Sequence, residues 1–472
     1  MQFILPLLYS LVFILLIYKI KYFAIESISR SKLAGLFILK LFAGSIVYLV
    51  YTNYYSLSDF HTYFSDSKIL IEHIFGKAST HQMQSWDAAF ENVLFNTSRT
   101  MIIMNAILQL FSFGNLFVHI VFFCFFSFVG LTAFYKAFIF HFPIKKTQLI
   151  ISIFFIPTVL FWSSAALKES LVIALVGLLI YKSNFGLKLK YNLSEVIILC
   201  VLFVLLLFVK IYVAIVLLPL LFTNFIIAKA TTKKIILYYL LVFGSVFLIA
   251  FSVKIIHQDF NVLQLIADKQ AKAISEAQGG VFLVNERNFI CVDYNKRENI
   301  LLVQSDSRYR IKNRSEFLSW KLDNMEDTTF VTNSIDTATY HILYSVLPAN
   351  SVLQMKRLKP HLVNFIMYSP LAISNVLFQP NLFSIKSCLH LVVAIENMWL
   401  ILLLILAIVF YDKTIIQNKP VFIFCLIFSL LIFVLIGITT PVIGSIIRYR
   451  TIGLLFFASI ILMMIDEKKI RK

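Results

Sequence analysis

The fold turns on how Tyr54-Tyr55-Ser56-Leu57-Ser58-Asp59-Phe60-His61-Thr62-Tyr63-Phe64-Ser65-Asp66-Ser67-Lys68 is read. This stretch follows directly on a long apolar run, 34–52, and opens a polar loop. Two carboxylates, a histidine and several tyrosines therefore stand at a junction between apolar and polar chain. At a membrane–water boundary an acid can serve as a general base or hold a cation. The plainer reading is an amphipathic helix on the membrane surface, with Asp59 as its N-cap. Two basic patches further along, expected on the same side of the membrane, favour the first reading.

The whole chain supports a membrane setting. Of 472 residues, 60% are hydrophobic and only 14% are charged, and the mean hydropathy is +0.86. Soluble domains run about 45–50% apolar and about 25% charged. The expected class is an all-α polytopic membrane protein. The net charge of +18 would point to nucleic acid in a soluble chain. Here basic loops on one side of a membrane account for most of it, so no nucleic-acid partner is expected.

A span needs about 20 apolar residues. Apolar runs predict eleven spans, near 3–19, 34–52, 116–139, 147–163, 168–182, 193–209, 211–228, 235–256, 388–411, 420–438 and 448–465. The first run lacks a basic leader and a cleavage site, so it reads as a span rather than a signal peptide. Its positive flank comes after it (Lys19, Lys21, Arg30, Lys32), which places the N-terminus outside and the C-terminus inside. Lys145 and Lys146, Lys182 to Lys190, Lys229 to Lys234, Lys413 and Lys419, and Lys468 to Lys472 then all fall inside. Every short inner loop is basic, as the positive-inside rule requires.

The chain divides into a first membrane part, 1–256, an outer region, 257–387, and the last three helices, 388–472. The first part carries an outer loop, 53–115, ending in the apolar run Met101–Phe113, which is too short to span. In the outer region, alternating runs at Val281–Val284, Phe289–Tyr294, Ile300–Val303 and Tyr309–Ile311 predict short strands of a small β or α/β insert near 280–350. Its acidic cluster, Asp323 to Asp327 with Asp336, lacks EF-hand spacing. Cys124, Cys200, Cys388 and Cys425 lie in apolar segments, and no Cys or His spacing suggests a metal site. No phosphate-cradling glycine motif is present, so nucleotide binding is not expected.

Several charged residues sit where apolar chain should be neutral. Lys168 and Glu169 follow Pro157-Thr158-Val159-Leu160-Phe161-Trp162-Ser163-Ser164, at an outer turn. A lysine there either snorkels or aims at a phosphate beside the free N–H groups of a restarting helix. Lys210 divides two apolar runs at the same end. Arg448-Tyr449-Arg450 precedes the last helix on the outer side, where short loops are poor in cations. Arginine bonds phosphate bidentately, so this is the leading anion candidate. Glu396 lies alone in an apolar helix and is expected to pair with a cation.

Taken together these residues resemble the GT-C superfamily of polytopic glycosyltransferases. The resemblance rests on an acid followed by an aromatic-rich helix (Asp59, Tyr63), on the Pro157 to Glu169 segment, and on Arg448-Tyr449-Arg450. Ser369-Pro370-Leu371-Ala372 and Glu396-Asn397 are similar to segments of bacterial surface-polysaccharide membrane proteins. The chain departs from that pattern in two ways. Its acidic loop follows the second helix rather than the first, and Asp59 and Asp66 are not adjacent. Placement after the second helix is closer to O-antigen and exopolysaccharide polymerases.

The resemblance implies a multi-pass enzyme of the bacterial inner membrane, acting on a polyprenyl-linked saccharide and surrounded by membrane lipids. It implies Asp59, with Asp66, as catalytic acids, and Tyr63, Lys168, Glu169, Lys210, Arg448 and Arg450 as substrate-binding residues. No cofactor is implied. A divalent cation is compatible with the family, but no residue pattern here calls for one. A polymerase of lipid-linked repeat units is the alternative within this chemistry. A flippase for lipid-linked glycans is the alternative outside it, and it predicts internal repeats that the sequence does not show.

Overall fold

A computed structural model of the protein describes residues 4–55, 58–76, 97–230, 234–256, 261–285, 288–303, 308–312, 316–321, 327–331 and 339–470. The chain is mostly helical, with one sheet. The helices of its first half are α1 (Ile4–Lys19), α2 (Arg30–Tyr54), α3 (Asp59–Ile74), α4 (Thr97–Ser112), α5 (Leu116–His141), α6 (Lys146–Phe154), α7 (Pro157–Trp162), α8 (Lys168–Ser183), α9 (Leu193–Lys229) and α10 (Ile235–Ile256). The second half adds α11 (Val262–Gln278), α12 (Arg297–Ile300), α13 (Leu362–Phe378), α14 (Cys388–Val409), α15 (Lys419–Thr439), α16 (Ile443–Tyr449) and α17 (Thr451–Met464).

Local chemistry sets many of these boundaries. Ser29 caps α2 by accepting from the Lys32 N–H, and Asn115 caps α5 by accepting from that of Phe117. Asn192 and Glu195 form a capping box at the start of α9. Asn184, at φ 50° and ψ 55°, ends α8 in the left-handed conformation that asparagine tolerates. Pro157 occupies the first turn of α7, where its missing N–H costs nothing.

Among the described residues five helices are long and apolar enough to cross a membrane: α2, α5, α9, α14 and α15. A sixth is present if α16 and α17, separated at Arg450, form one span. The eleven predicted spans thus appear only in part, and for local reasons. The run 147–163 is divided ahead of Pro157 into α6 and α7, and α1 and α8 have 16 residues each. Met101 to Ser112, all but the last residue of the run expected as a surface or re-entrant segment, belongs to the 16-residue helix α4.

The chain separates into two compact units. The first comprises Met1–Val242, Ile395–Ile432 and Thr451–Lys472. In it α5 and α8 pack at their glycines: a Cβ on Gly177 would lie 2.1 Å from the Gly130 carbonyl oxygen. A chain of ring contacts joins Phe134, Phe138, Phe185, Phe424, Phe428 and Phe456 in the core.

The helix α9 is two helices in series. Its 37 residues contain one non-helical position, Lys210, at φ −157° and ψ 84°. Just before α9, the Tyr191 hydroxyl bonds the Ser183 carbonyl, and near its end Asn224 Nδ2 donates to the Phe185 carbonyl. A straight helix from 191 to 224 would hold those points about 50 Å apart. Both reach the turn after α8, so the chain doubles back at Lys210, between the apolar runs 193–209 and 211–228.

Contacts sort the remaining ends of this unit. His141 meets Asn184, Lys145 pairs with Asp412 at 2.7 Å, and Asn418 donates to the His141 carbonyl. Tyr411 bridges to Ile465. These are the ends with basic loops. At the opposite ends, Lys168 approaches Ser98, Thr100 donates to the Phe208 carbonyl, and the Tyr51 ring meets Phe60 and Trp162.

The second unit comprises Phe243–Ala394 and Phe433–Arg450, so it takes in the predicted outer region together with parts of α10, α14 and α15. Among the described residues its sheet has seven antiparallel strands: β1 (Gly280–Asn285), β2 (Asn288–Asp293), β3 (Leu301–Val303), β4 (Arg308–Ile311), β5 (Glu316–Lys321), β6 (Asp327–Val331) and β7 (Tyr340–Val346). Their order is β3-β4-β7-β1-β2-β5-β6, with Gly280 opposite Asp293 in the β1–β2 pair. The four predicted strands match β1 to β4. Val281, Leu283, Ile290, Val292, Ile311 and Tyr340 form the core beneath. Of the predicted acidic cluster, Asp327 starts β6, while 323–326 and 336 lie outside the described residues.

Candidate functional site

The non-basic ends of the first unit hold the predicted acids. Ser58 occupies the N-cap position of α3 and Asp59 its first turn, so Asp59 is not the cap that the plainer reading requires. Asp59 is exposed and Tyr63 is buried. Asp66 is half-buried, and burial raises its carboxyl above the ordinary range against a lowering bond from Ser65. Seven residues are close to two helical turns, so Asp59, Tyr63 and Asp66 lie along one stripe of α3. The two acids are about 10 Å apart along the axis, too far to share one proton or one metal ion.

A break in a helix faces this stripe. After α7 the chain runs non-helically through 163–167, all buried, and restarts as α8. Irregular backbone in a membrane domain needs partners within the protein, and hydroxyls supply them here. Ser127 and Ser170 both donate to the Ser163 carbonyl, at 2.6 and 2.9 Å, and Ser170 also reaches that of Ala165. Lys168, the first residue of α8, lies 5.6 Å from the centre of the Tyr63 ring and 3.5 Å from Ser98 Oγ. Its ammonium therefore lies against the aromatic residue of the acid stripe.

Two further lysines converge on the break. Lys210 Nζ stands 2.8 Å from Glu169 Oε1, and both residues are buried. The Lys–Glu pair thus joins the point where α9 doubles back to the first turn of α8. Lys40, in the middle of α2, is 1% exposed and bonds Ser163 Oγ at 2.5 Å and Ser164 Oγ at 3.3 Å. Sequence reasoning passed over Lys40, although its signal was present: a lone lysine inside an apolar run is a functional candidate by default. Lys40, Lys168 and Lys210 thus all lie at or beside the stretch 163–169. At the start of α7, Glu396 accepts the Thr158 N–H at 2.6 Å, so this buried carboxylate stabilises a helix N-terminus.

Arg448 and Arg450 belong to the second unit. Arg450 is fully buried and its Nη1 donates to the Val376 carbonyl at 2.7 Å. Arg448 is half-buried, 5.5 Å from the centre of the Tyr449 ring. Among the described residues no group of three or more His, Cys, Asp or Glu side chains could hold a metal ion.

The first unit thus places the Lys168 ammonium, a helix N-terminus and an aromatic ring along the stripe that bears the exposed Asp59 carboxylate. Such a site can hold an anionic group and deprotonate a hydroxyl nearby. No family model, curated protein or solved structure matches the chain.

Proposed function

We propose that the chain is an integral-membrane glycosyltransferase that uses a polyprenyl-phosphate-linked sugar at the outer face of the inner membrane. The observation that carries the reading is the broken helix at 163–167, where Lys168 lies over Tyr63 on the stripe that bears Asp59. In this reading Asp59 takes the proton of the acceptor hydroxyl. Lys168, with the N–H groups opening α8, holds the phosphate and stabilises charge developing on the leaving group. Lys40 and the Lys210–Glu169 pair fix the break. Arg448 and Arg450 remain phosphate-binding candidates of the second unit. The reading takes the eleven-span order with the basic loops inside.

The test is a deletion strain complemented with wild type or Asp59→Asn, with its surface glycan resolved on a gel. A glycan restored by wild type but not by the variant, at equal protein level, supports the transferase. Full restoration by Asp59→Asn overturns the role of Asp59. Loss of the long ladder with single-repeat products retained reassigns the chain to polymerisation of lipid-linked repeat units.

A further inference from the structure

We infer that Ser112, His119 and Asn105 form a second site, a serine nucleophile with its base and positioning residue, able to take an acyl group from an ester substrate drawn from the membrane. The three residues sit where α4 gives way to α5, and all are buried. Ser112 Oγ lies 2.9 Å from His119 Nε2, and His119 Nδ1 lies 2.7 Å from Asn105 Oδ1.

The hydrogen-bond inventory assigns the tautomer. Asn105 Nδ2 donates to the Met101 carbonyl, so Asn105 turns its Oδ1 to the imidazole. An amide oxygen only accepts, so Nδ1 carries the ring proton and Nε2 is left as an acceptor. The Ser112 hydroxyl then faces two acceptors, His119 Nε2 at 2.9 Å and Gln109 Oε1 at 3.4 Å, and the shorter contact takes its proton. Nucleophile, base and orienting group therefore stand in the order that activates a serine. Just after Ser112 the chain ends α4 in a left-handed turn, with Phe113 at φ 50° and Gly114 at φ 80°.

The reaction balances with groups on hand. Ser112 Oγ adds to the ester carbonyl carbon as its proton passes to Nε2. The ester C–O bond breaks, the leaving alkoxide takes that proton, and an acyl-Ser112 ester remains. Water or an acceptor hydroxyl reverses the sequence and frees the serine. Asn105 holds the tautomer but brings no charge to stabilise an imidazolium, so acylation is expected to be slow.

The site is closed in this state. Ser112 is 0% exposed, and the Phe64 ring lies edge-on to His119 at 5.0 Å, with Lys68 over Phe64. Ser112 is nonetheless one residue from Phe113, which is 84% exposed. A lipid-soluble reagent is therefore the appropriate probe.

The experiment treats the full chain in detergent with an alkyl fluorophosphonate, locates the adduct by peptide mass spectrometry and monitors folding by thermal unfolding. The expected result is an adduct on Ser112 that is lost in Ser112→Ala and His119→Gln and forms faster in Phe64→Ala. Asn105→Leu loses labelling and Asn105→Asp retains it, since a carboxylate also accepts from Nδ1. Absence of a Ser112 adduct in folded wild type, or unchanged labelling in folded His119→Gln, overturns the inference and leaves a structural network.

Discussion

Glu169 and Lys210 were each legible as chemistry, because both interrupt apolar chain. Their pairing was not, because it depends on where two turns meet 41 residues apart. Removing one partner of a buried pair strands the other charge and costs about 3–5 kcal/mol. Glu169→Gln or Lys210→Met alone should therefore lower the melting temperature in detergent much more than an exposed substitution does. The double variant should recover part of the loss, and a strictly additive double variant would show that the two charges are not coupled. Asp412 offers a second test. Burial opposes its ionisation, but bonds from Lys145 and the Thr414 N–H outweigh it and hold the carboxyl below its ordinary value. A carboxyl lowered in the folded state stabilises above its unfolded value, and this is lost as pH falls through the folded one. Acid titration of stability should thus show a component that disappears in Asp412→Asn; an unchanged acid limb would remove Asp412 from the account.

Helices and strands were legible to the extent that their signals are local. Apolar runs marked where many of the helices lie, though not as eleven spans, and alternation found β1 to β4. The strands β5 and β6 begin with the charged residues Glu316 and Asp327, so backbone pairing rather than apolar content marks them as strands, whereas β7, Tyr340–Val346, carries an apolar pattern of its own. Close helix approach is equally hidden until partners are known. Gly177 reads as a weak point in a helix, yet it lets α8 meet α5 backbone to backbone. Gly177→Ala should force the two apart, at about 1–3 kcal/mol for overpacking, while Gly35→Ala, with nothing within 4 Å of its Cβ position, should be neutral or mildly stabilising. Equal melting temperatures for the two variants would refute this packing.

For the molecule entire, sorted ends imply sorted access. Tyr54 is 80% exposed beside the acid stripe, and Ile144 is 86% exposed beside the basic ends. In the orientation proposed above, Tyr54→Cys should react with an impermeant maleimide on intact spheroplasts, and Ile144→Cys only after lysis. The reverse pattern would invert the topology and place the acids in the cytoplasm. The Lys210–Glu169 link also has a meaning in time. Glu169 leaves the ribosome first, and its partner follows 41 residues later, about 2–8 s at 5–20 residues per second. In the eleven-span reading proposed above, α8 would enter the membrane ahead of the lysine that its carboxylate binds, and their pairing would tie the insertion of two hairpins together.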